Sequence, residues 1–239
     1  LILMLWVRLP FVRDAIKHRW LGCRASSPPT LFSAYKMGDK AVCIVFFSYF
    51  YNLLLIKRME KLFLLDAYAL IYRAYYAFIR APRINSKGQN TSAIFGFVNT
   101  LEDVLRKEQP THIGVAFDPK GGTFRHEMYA PYKAQREETP EDIRASVPII
   151  KDILRAYRIP ILEVPGYEAD DVIGTLSHQA DALGIKTYMM TPDKDYGQLV
   201  TENALIYRPK FGDKEFEVMD IERVKEKMGV ERPEQVIDL

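Results

Sequence analysis

Cysteine is scarce in this 239-residue chain and confined to its opening: Cys23 and Cys43 both precede Met59, as do both tryptophans, Trp6 and Trp20. From Met59 onward there is no thiol, so neither a disulfide framework nor a Cys-based zinc site is available there. Histidine is sparse too, and His112, His126 and His178 lack the close spacing of metal ligands. No internal repeat or low-complexity tract is present. A strong excess of one charge is also missing, since 33 basic and 31 acidic residues leave a formal net charge of +2. That near-balance hides a division. Residues 1–58 hold nine basic residues against only Asp14 and Asp39, whereas residues 59–239 hold 24 basic and 29 acidic ones. The larger part is acidic, the opposite of the basic footprint on which general nucleic-acid affinity relies.

Residues 1–58 begin with Leu and show no sustained helical or strand periodicity. Residues 41–56 form an apolar run of 16 residues between Lys40 and the Lys57-Arg58 pair. A membrane-crossing helix needs roughly 20 residues, and no small-residue cleavage site follows as it would after a signal peptide. Three readings stand for this stretch: upstream sequence read in frame, an apolar anchor at 41–56, and a soluble extension. The abrupt change of composition at Met59, a natural start, favours the first, so the fold is read from Met59.

From there apolar strands and amphipathic helices alternate. Residues 61–65 (KLFLL) read as a strand ending on Asp66, and residues 67–78 as a helix. Residues 91–107 carry Ile94, Phe95, Val98, Leu101, Val104 and Leu105 at helical spacing. Residues 113–117 (IGVAF) form a second strand ending on Asp118. The glycines, prolines and charges of residues 119–139 predict a long loop, and such loops are usually functional or disordered. Thr139 is expected as an N-cap before Pro140 at the first helical position, opening a helix to about Tyr157. A third strand is expected over 159–164, a helix over 168–183 stopped by Gly184, and a fourth strand over 186–190. A short helix to about Val200, short strands at 205–207 and 215–218, and a helix from Ile221 complete the reading. Such alternation predicts an α/β fold with an open, mostly parallel sheet and helices on both faces. Ligands of such sheets bind beyond the carboxyl ends of the strands.

Acids collect at those ends. Asp66 and Asp118 close the first two strands, Glu168, Asp170 and Asp171 follow the third, and Asp193 and Asp195 follow the fourth. Singly, each would be read as a cap or turn residue, and Glu168-Ala-Asp-Asp171 as an acidic first turn favoured by the helix dipole. Asp142 is read in that way. Coincidence at four strand ends points instead to a metal centre. Like charges crowded in one cleft repel unless a cation sits among them, and all-oxygen donors suit magnesium or manganese. A pair of such ions can activate a water and stabilise the leaving oxygen of a phosphodiester. Lys120, Arg125, Lys133 and Arg136, interleaved with Phe124, Tyr129 and Tyr132, offer phosphate contacts and stacking surfaces. Lys133 and Arg125 are the candidates to offset transition-state charge; Arg73, in the helix after Asp66, is a lesser one.

Taken together, LLDAYALIYRAYYAF, VAFDPKGGTFRHEMYAPYKAQR, VPGYEADDVIGTL and TPDKDYGQLV resemble the 5′-nuclease (5′-3′ exonuclease) domain of bacterial DNA polymerase I, a relative of flap endonucleases. The resemblance implies a PIN-like α/β fold with a helical arch or gateway at 119–139. It implies hydrolysis of DNA phosphodiesters at 5′ flaps or 5′ ends in replication and repair, with RNA/DNA primer ends as further substrates, using two or more Mg2+ or Mn2+ ions. By the same resemblance Asp66, Asp118, Glu168, Asp170, Asp171, Asp193 and Asp195 match the metal-site acids. Arg73, Arg125, Tyr132, Lys133 and Arg136 match the substrate-handling residues. A polymerase domain is expected in the intact chain, and a monomer in the bacterial cytoplasm, at the nucleoid and away from membrane. Family members continue with a glycine-aspartate-serine-aspartate motif and a helix-hairpin-helix element, and this chain stops at residues 233–239 before both. A nuclease domain incomplete at its C-terminal end is therefore expected over 59–239. The alternatives are a PIN-like ribonuclease and a catalytically incomplete DNA-binding fragment.

Overall fold

A computed structural model describes residues 60–135, 138–209 and 216–238. Residues 1–58, with the apolar run at 41–56, lie outside the described residues, as does Arg136. Among the described residues no helix is long and apolar enough to cross a membrane.

Six strands form one sheet: β1 (Lys61–Asp66), β2 (His112–Ala116), β3 (Ile161–Leu162), β4 (Lys186–Met190), β5 (Ala204–Pro209) and β6 (Phe216–Met219), in spatial order β3-β2-β1-β4-β5-β6. β1 to β5 run parallel, and β6 closes the edge antiparallel to β5. The central strand is apolar at consecutive positions: Phe63, Leu64 and Leu65 are all at most 1% exposed. A strand buried on both faces needs that run, because successive side chains point to opposite sides. Leu64 joins the core with Met189, Ile206 and Ile173. Phe63 points the other way and stacks on Tyr188, whose centroid is 4.8 Å distant.

Helix α1 (Ala67–Ala77) follows β1 without a loop, because Asp66 ends the strand and caps the helix, accepting from the Ala69 amide at 3.1 Å. Helices α2 (Ser92–Lys107) and α4 (Glu141–Ala156) bury stripes such as Phe97, Leu101 and Val104, or Ile143, Ile150 and Leu154. Helix α5 (Ala169–Ala182) lies against β1, β2 and β4. It starts after a turn in which Gly166 adopts φ +84°, a conformation that side-chain-bearing residues rarely take. Helix α6 (Ile221–Met228) and 3-10 turns at Asp195–Leu199 and Pro233–Asp238 complete the described chain. The strand order reverses beside β1: the chain moves outward through β2 and β3, then returns to lay β4 on the other side. Such a switch point opens a crevice at the carboxyl ends of the strands.

Three expectations change. The third strand keeps only two paired residues, Ile161–Leu162, because it is an edge strand with one neighbour. Pro140, not Thr139, holds the cap position of α4; the Thr139 hydroxyl instead accepts from Tyr72 Oη at 3.0 Å. The 119–139 segment is not all loop, since it contains a short helix, α3 (Phe124–Met128).

Helices α1 and α2 pack at unusually close range. A methyl placed on Gly96 would lie 2.6 Å from Cβ and 3.2 Å from Cα of Ala74. Replacing helical glycine by alanine ordinarily gains about 1 kcal/mol, whereas overpacking costs about 1–3 kcal/mol. With backbone among the atoms met, the clash outweighs the propensity. Gly96→Ala is expected to lower the unfolding free energy by about 1–2 kcal/mol in urea titrations, and a gain would show that the helices are not this close.

Candidate metal and nucleic-acid site

The four strand-end segments bring their acids to one rim. Asp66, at the end of the central strand, accepts from the Ala69 amide through one oxygen and from Thr191 Oγ1 at 3.2 Å through the other. Asp118 accepts from the Ala169 amide at 2.8 Å, tying the end of β2 to the start of α5. Asp193 accepts from the Asp195 amide at 3.0 Å, so the two follow each other around a tight turn after β4. Asp170, Asp171, Asp193 and Asp195 line a cleft of about 300 Å³ together with Arg125 and Tyr196.

Crowding shows in the proton affinities. Burial, followed by the charges of Asp118 and Asp193, pushes the Asp66 carboxyl up to about 6, although amide and hydroxyl donors pull it down. Asp170 is also raised, by burial and then by Asp171. Neither Asp66 nor Asp118 forms an ion pair with a basic side chain among the described residues.

Glu168 and Asp171 are treated differently. Glu168, 4% exposed, caps α5 in a reciprocal arrangement with Asp171, whose carboxylate accepts from the Glu168 amide at 3.0 Å. Lys133 Nζ lies 2.7 Å from Glu168 Oε1, and Tyr132 Oη donates to Oε2 at 3.0 Å. Arg125 grips Asp171 with both terminal nitrogens, at 2.7 and 2.8 Å, and reaches Glu168 at 3.5 Å. Such bidentate pairs are strong and directional. Burial alone would lift Asp171, but the Arg125 hydrogen bonds and charge hold it below its ordinary value. Lys133 meets Glu168 from a left-handed backbone with φ 58°. Strain of this kind persists only where surroundings hold it, here through the 119–139 segment's hold on α5.

Of the sequence-derived candidates, Arg125, Tyr132 and Lys133 thus converge on Glu168 and Asp171, while Asp66, Asp118, Asp170, Asp193 and Asp195 share the rim. Arg73 is exposed on α1 and forms no hydrogen bond or ion pair with those acids among the described residues. Among the described residues, no three acidic, histidine or cysteine side chains converge tightly enough to cage an ion unaided. Glu168 and Asp171 point at cations, whereas Asp66, Asp118, Asp170 and Asp193 each accept from a backbone amide. Two further residues escape a reading by charge. Thr191, fully buried, donates to Asp66 and accepts from the Asp193 amide at 3.2 Å. Tyr196, 3% exposed, has its phenol raised by burial and then by Asp66, Asp170, Asp193 and Asp118. Their only signal in the sequence was position, directly after β4 and beside Asp195.

Residues 61–229 match the family model described as the 5'-3' exonuclease, N-terminal resolvase-like domain. A 5'-3' exonuclease of Aquifex aeolicus is 42% identical over 180 residues, covering 75% of this chain and 60% of that protein. DNA polymerase I of Bacillus caldotenax is 40% identical over 181 residues, 75% of this chain but 20% of the polymerase. The chain therefore spans between a fifth and three fifths of these relatives. Among solved structures, the 5'-exonuclease of T5 with bound divalent zinc superposes with a TM-score of 0.56 at 19% identity, covering 75% of this chain and 65% of that one. That likeness extends to the fold.

The Asp66 shift has a measurable consequence. A free carboxyl of this type ionises at 3.8, whereas the folded one holds its proton to about 6. Between these values the folded chain binds more protons than the unfolded one, so stability is lost as pH rises through the window. Asparagine keeps the helix cap without ionising. Asp66→Asn in metal-free buffer is expected to raise the melting temperature at neutral pH and to flatten its pH dependence between about 4 and 6. An unchanged slope would move the burden to another carboxylate.

Proposed function

The chain belongs to the 5'-3' exonuclease N-terminal domain family, and we propose that it hydrolyses DNA phosphodiesters at 5′ flaps or 5′ ends with the help of divalent cations. The observation that carries this reading is the acid rim itself, built from four strand ends, where burial and then the charges of Asp118 and Asp193 hold Asp66 near pKa 6. Its donors are all hard oxygens, the set that suits Mg2+ or Mn2+. Asp66, Asp118, Asp170 and Asp193 would hold the ions, two or more, with Asp195, Glu168 and Asp171 orienting waters around them. When bound, the ions would supply Lewis-acid charge to the phosphodiester and its attacking water.

The remaining work falls to the chain's own side chains. Lys133 and Arg125 stand on the flank of the cleft, where a scissile phosphate would bring its charge, and offset the negative charge that grows in the transition state. Tyr132, next to Lys133 and hydrogen-bonded to Glu168, offers a face for an unpaired base. Residues 119–139 would form the gateway for a single-stranded 5′ end, with Arg73 and Arg136 as further phosphate contacts. The cation-bearing segment and the acid rim meet on α5, so substrate positioning and metal binding are coupled through one helix. In the intact protein a polymerase region would follow, the whole acting as a monomer at the bacterial nucleoid.

Cleavage of a 5′-flapped duplex in magnesium tests this. Asp118→Asn is expected to abolish cutting while circular dichroism stays native, and Lys133→Ala to slow it about 10²–10³-fold, the loss typical of one transition-state donor. Normal rates in both variants would overturn the reading. Preference for single-stranded RNA would assign a PIN-like ribonuclease instead, and flap binding without turnover in either metal would leave a DNA-binding fragment.

A further inference from the structure

Tyr196 lies in a place that its chemistry does not explain. Its ring belongs to the apolar cluster that includes Ala169, Ile173 and Val224. Its hydroxyl is buried and has no hydrogen-bond partner. A buried donor left unmade costs stability, and such groups are rare enough that each calls for a cause. Phenylalanine would fill the same space without that cost. The charges acting on the hydroxyl are those of Asp66, Asp170, Asp193 and Asp118, and Tyr196 lines the cleft next to Asp170, Asp193 and Asp195. A phenol is protonated at neutral pH and can donate, so a buried, unpartnered donor lies within the field of four carboxylates and is hydrogen-bonded to none of them.

Resting on the metal-dependent reading above, we infer that Tyr196 is a positioning residue of the metal centre: its hydroxyl donates to an oxygen of the loaded site, water or carboxylate, and so raises affinity for divalent cations. The neighbouring residues fit this role. Thr191 already anchors Asp66 and the Asp193 amide from the same segment. Gly197 brings the turn against Val236, where a Cβ would lie 3.2 Å from both of its methyl groups, so the turn carrying Tyr196 is held from behind. Fixing the ring fixes the hydroxyl. Outer partners of metal ligands typically change affinity 10–100-fold when removed.

Binding of Mn2+ to the full 239-residue chain, measured by isothermal titration calorimetry beside thermal melts with and without Mn2+, tests the inference. Tyr196→Phe is expected to fold, to melt at the same or a higher temperature without metal, and to bind Mn2+ about 10–100-fold more weakly. The rise in melting temperature on adding Mn2+ should shrink accordingly. Tyr188→Phe removes a hydroxyl from the opposite side of the sheet and is expected to leave the affinity unchanged. Equal Mn2+ affinity in wild type and Tyr196→Phe, or an equal fall in Tyr188→Phe, would overturn the role of Tyr196 and leave the nuclease reading standing. Failure of the wild-type chain to bind Mn2+ would overturn the metal-dependent function and this inference with it.

Discussion

Repulsion among carboxylates at the carboxyl end of one sheet governs the rest of this structure. The switch between β1 and β4 opens a crevice, and the chain fills its rim with Asp66, Asp118, Asp170 and Asp193 rather than with neutral caps. The cost is visible in Asp66, which holds its proton to about pH 6 because burial in the central strand comes first and the charges of Asp118 and Asp193 add to it. Each acid accepts a hydrogen bond from a backbone amide, and Asp66 from a hydroxyl as well, which fixes its orientation at the rim. Fixed acceptors that repel one another form an environment that a small divalent cation relieves.

The second constraint is how the same helix start is shared. Glu168 and Asp171 cap α5 for each other and also receive Arg125, Tyr132 and Lys133. Helix initiation, charge neutralisation and placement of the 119–139 segment are therefore one arrangement. Loosening any of these contacts would move both the cations and the acids. The apolar layer beneath makes this possible: α5 lies on β1, β2 and β4, so its N-terminus is held over the strand ends by burial of Ala169 and Ile173 rather than by the polar contacts alone.

Much of this was legible because the relevant spacing is local. Continuous apolar strands announced a parallel sheet, and an acid directly after a strand has few places to go. The three-residue separation of Glu168 and Asp171 placed them on one helical face. What failed depended mostly on tertiary placement. The 159–164 segment was apolar enough for a strand, but an edge position left it two paired residues. Thr139 had the chemistry of a cap, yet Tyr72, 67 residues away, took its hydroxyl. A helix within 119–139 was hidden from periodicity by glycine, proline and charge on either side, and only the family resemblance implied it.

The sequence by itself determined the type of sheet, the order of its elements and the gathering of acids at strand ends, because those follow from periodicity and from the direction of parallel strands. Only the tertiary structure decided which acids are neutralised internally and which are left to repel. Glu168 and Asp171 meet cations 35 to 46 residues away in the chain, whereas Asp66 and Asp118 meet backbone amides and each other's charge. The same holds for Tyr196, an aromatic among many until folding buried its hydroxyl beside four carboxylates. Charge and hydrogen-bond satisfaction depend on distance in space, and sequence spacing fixes that distance only within a turn of helix or a few residues of strand.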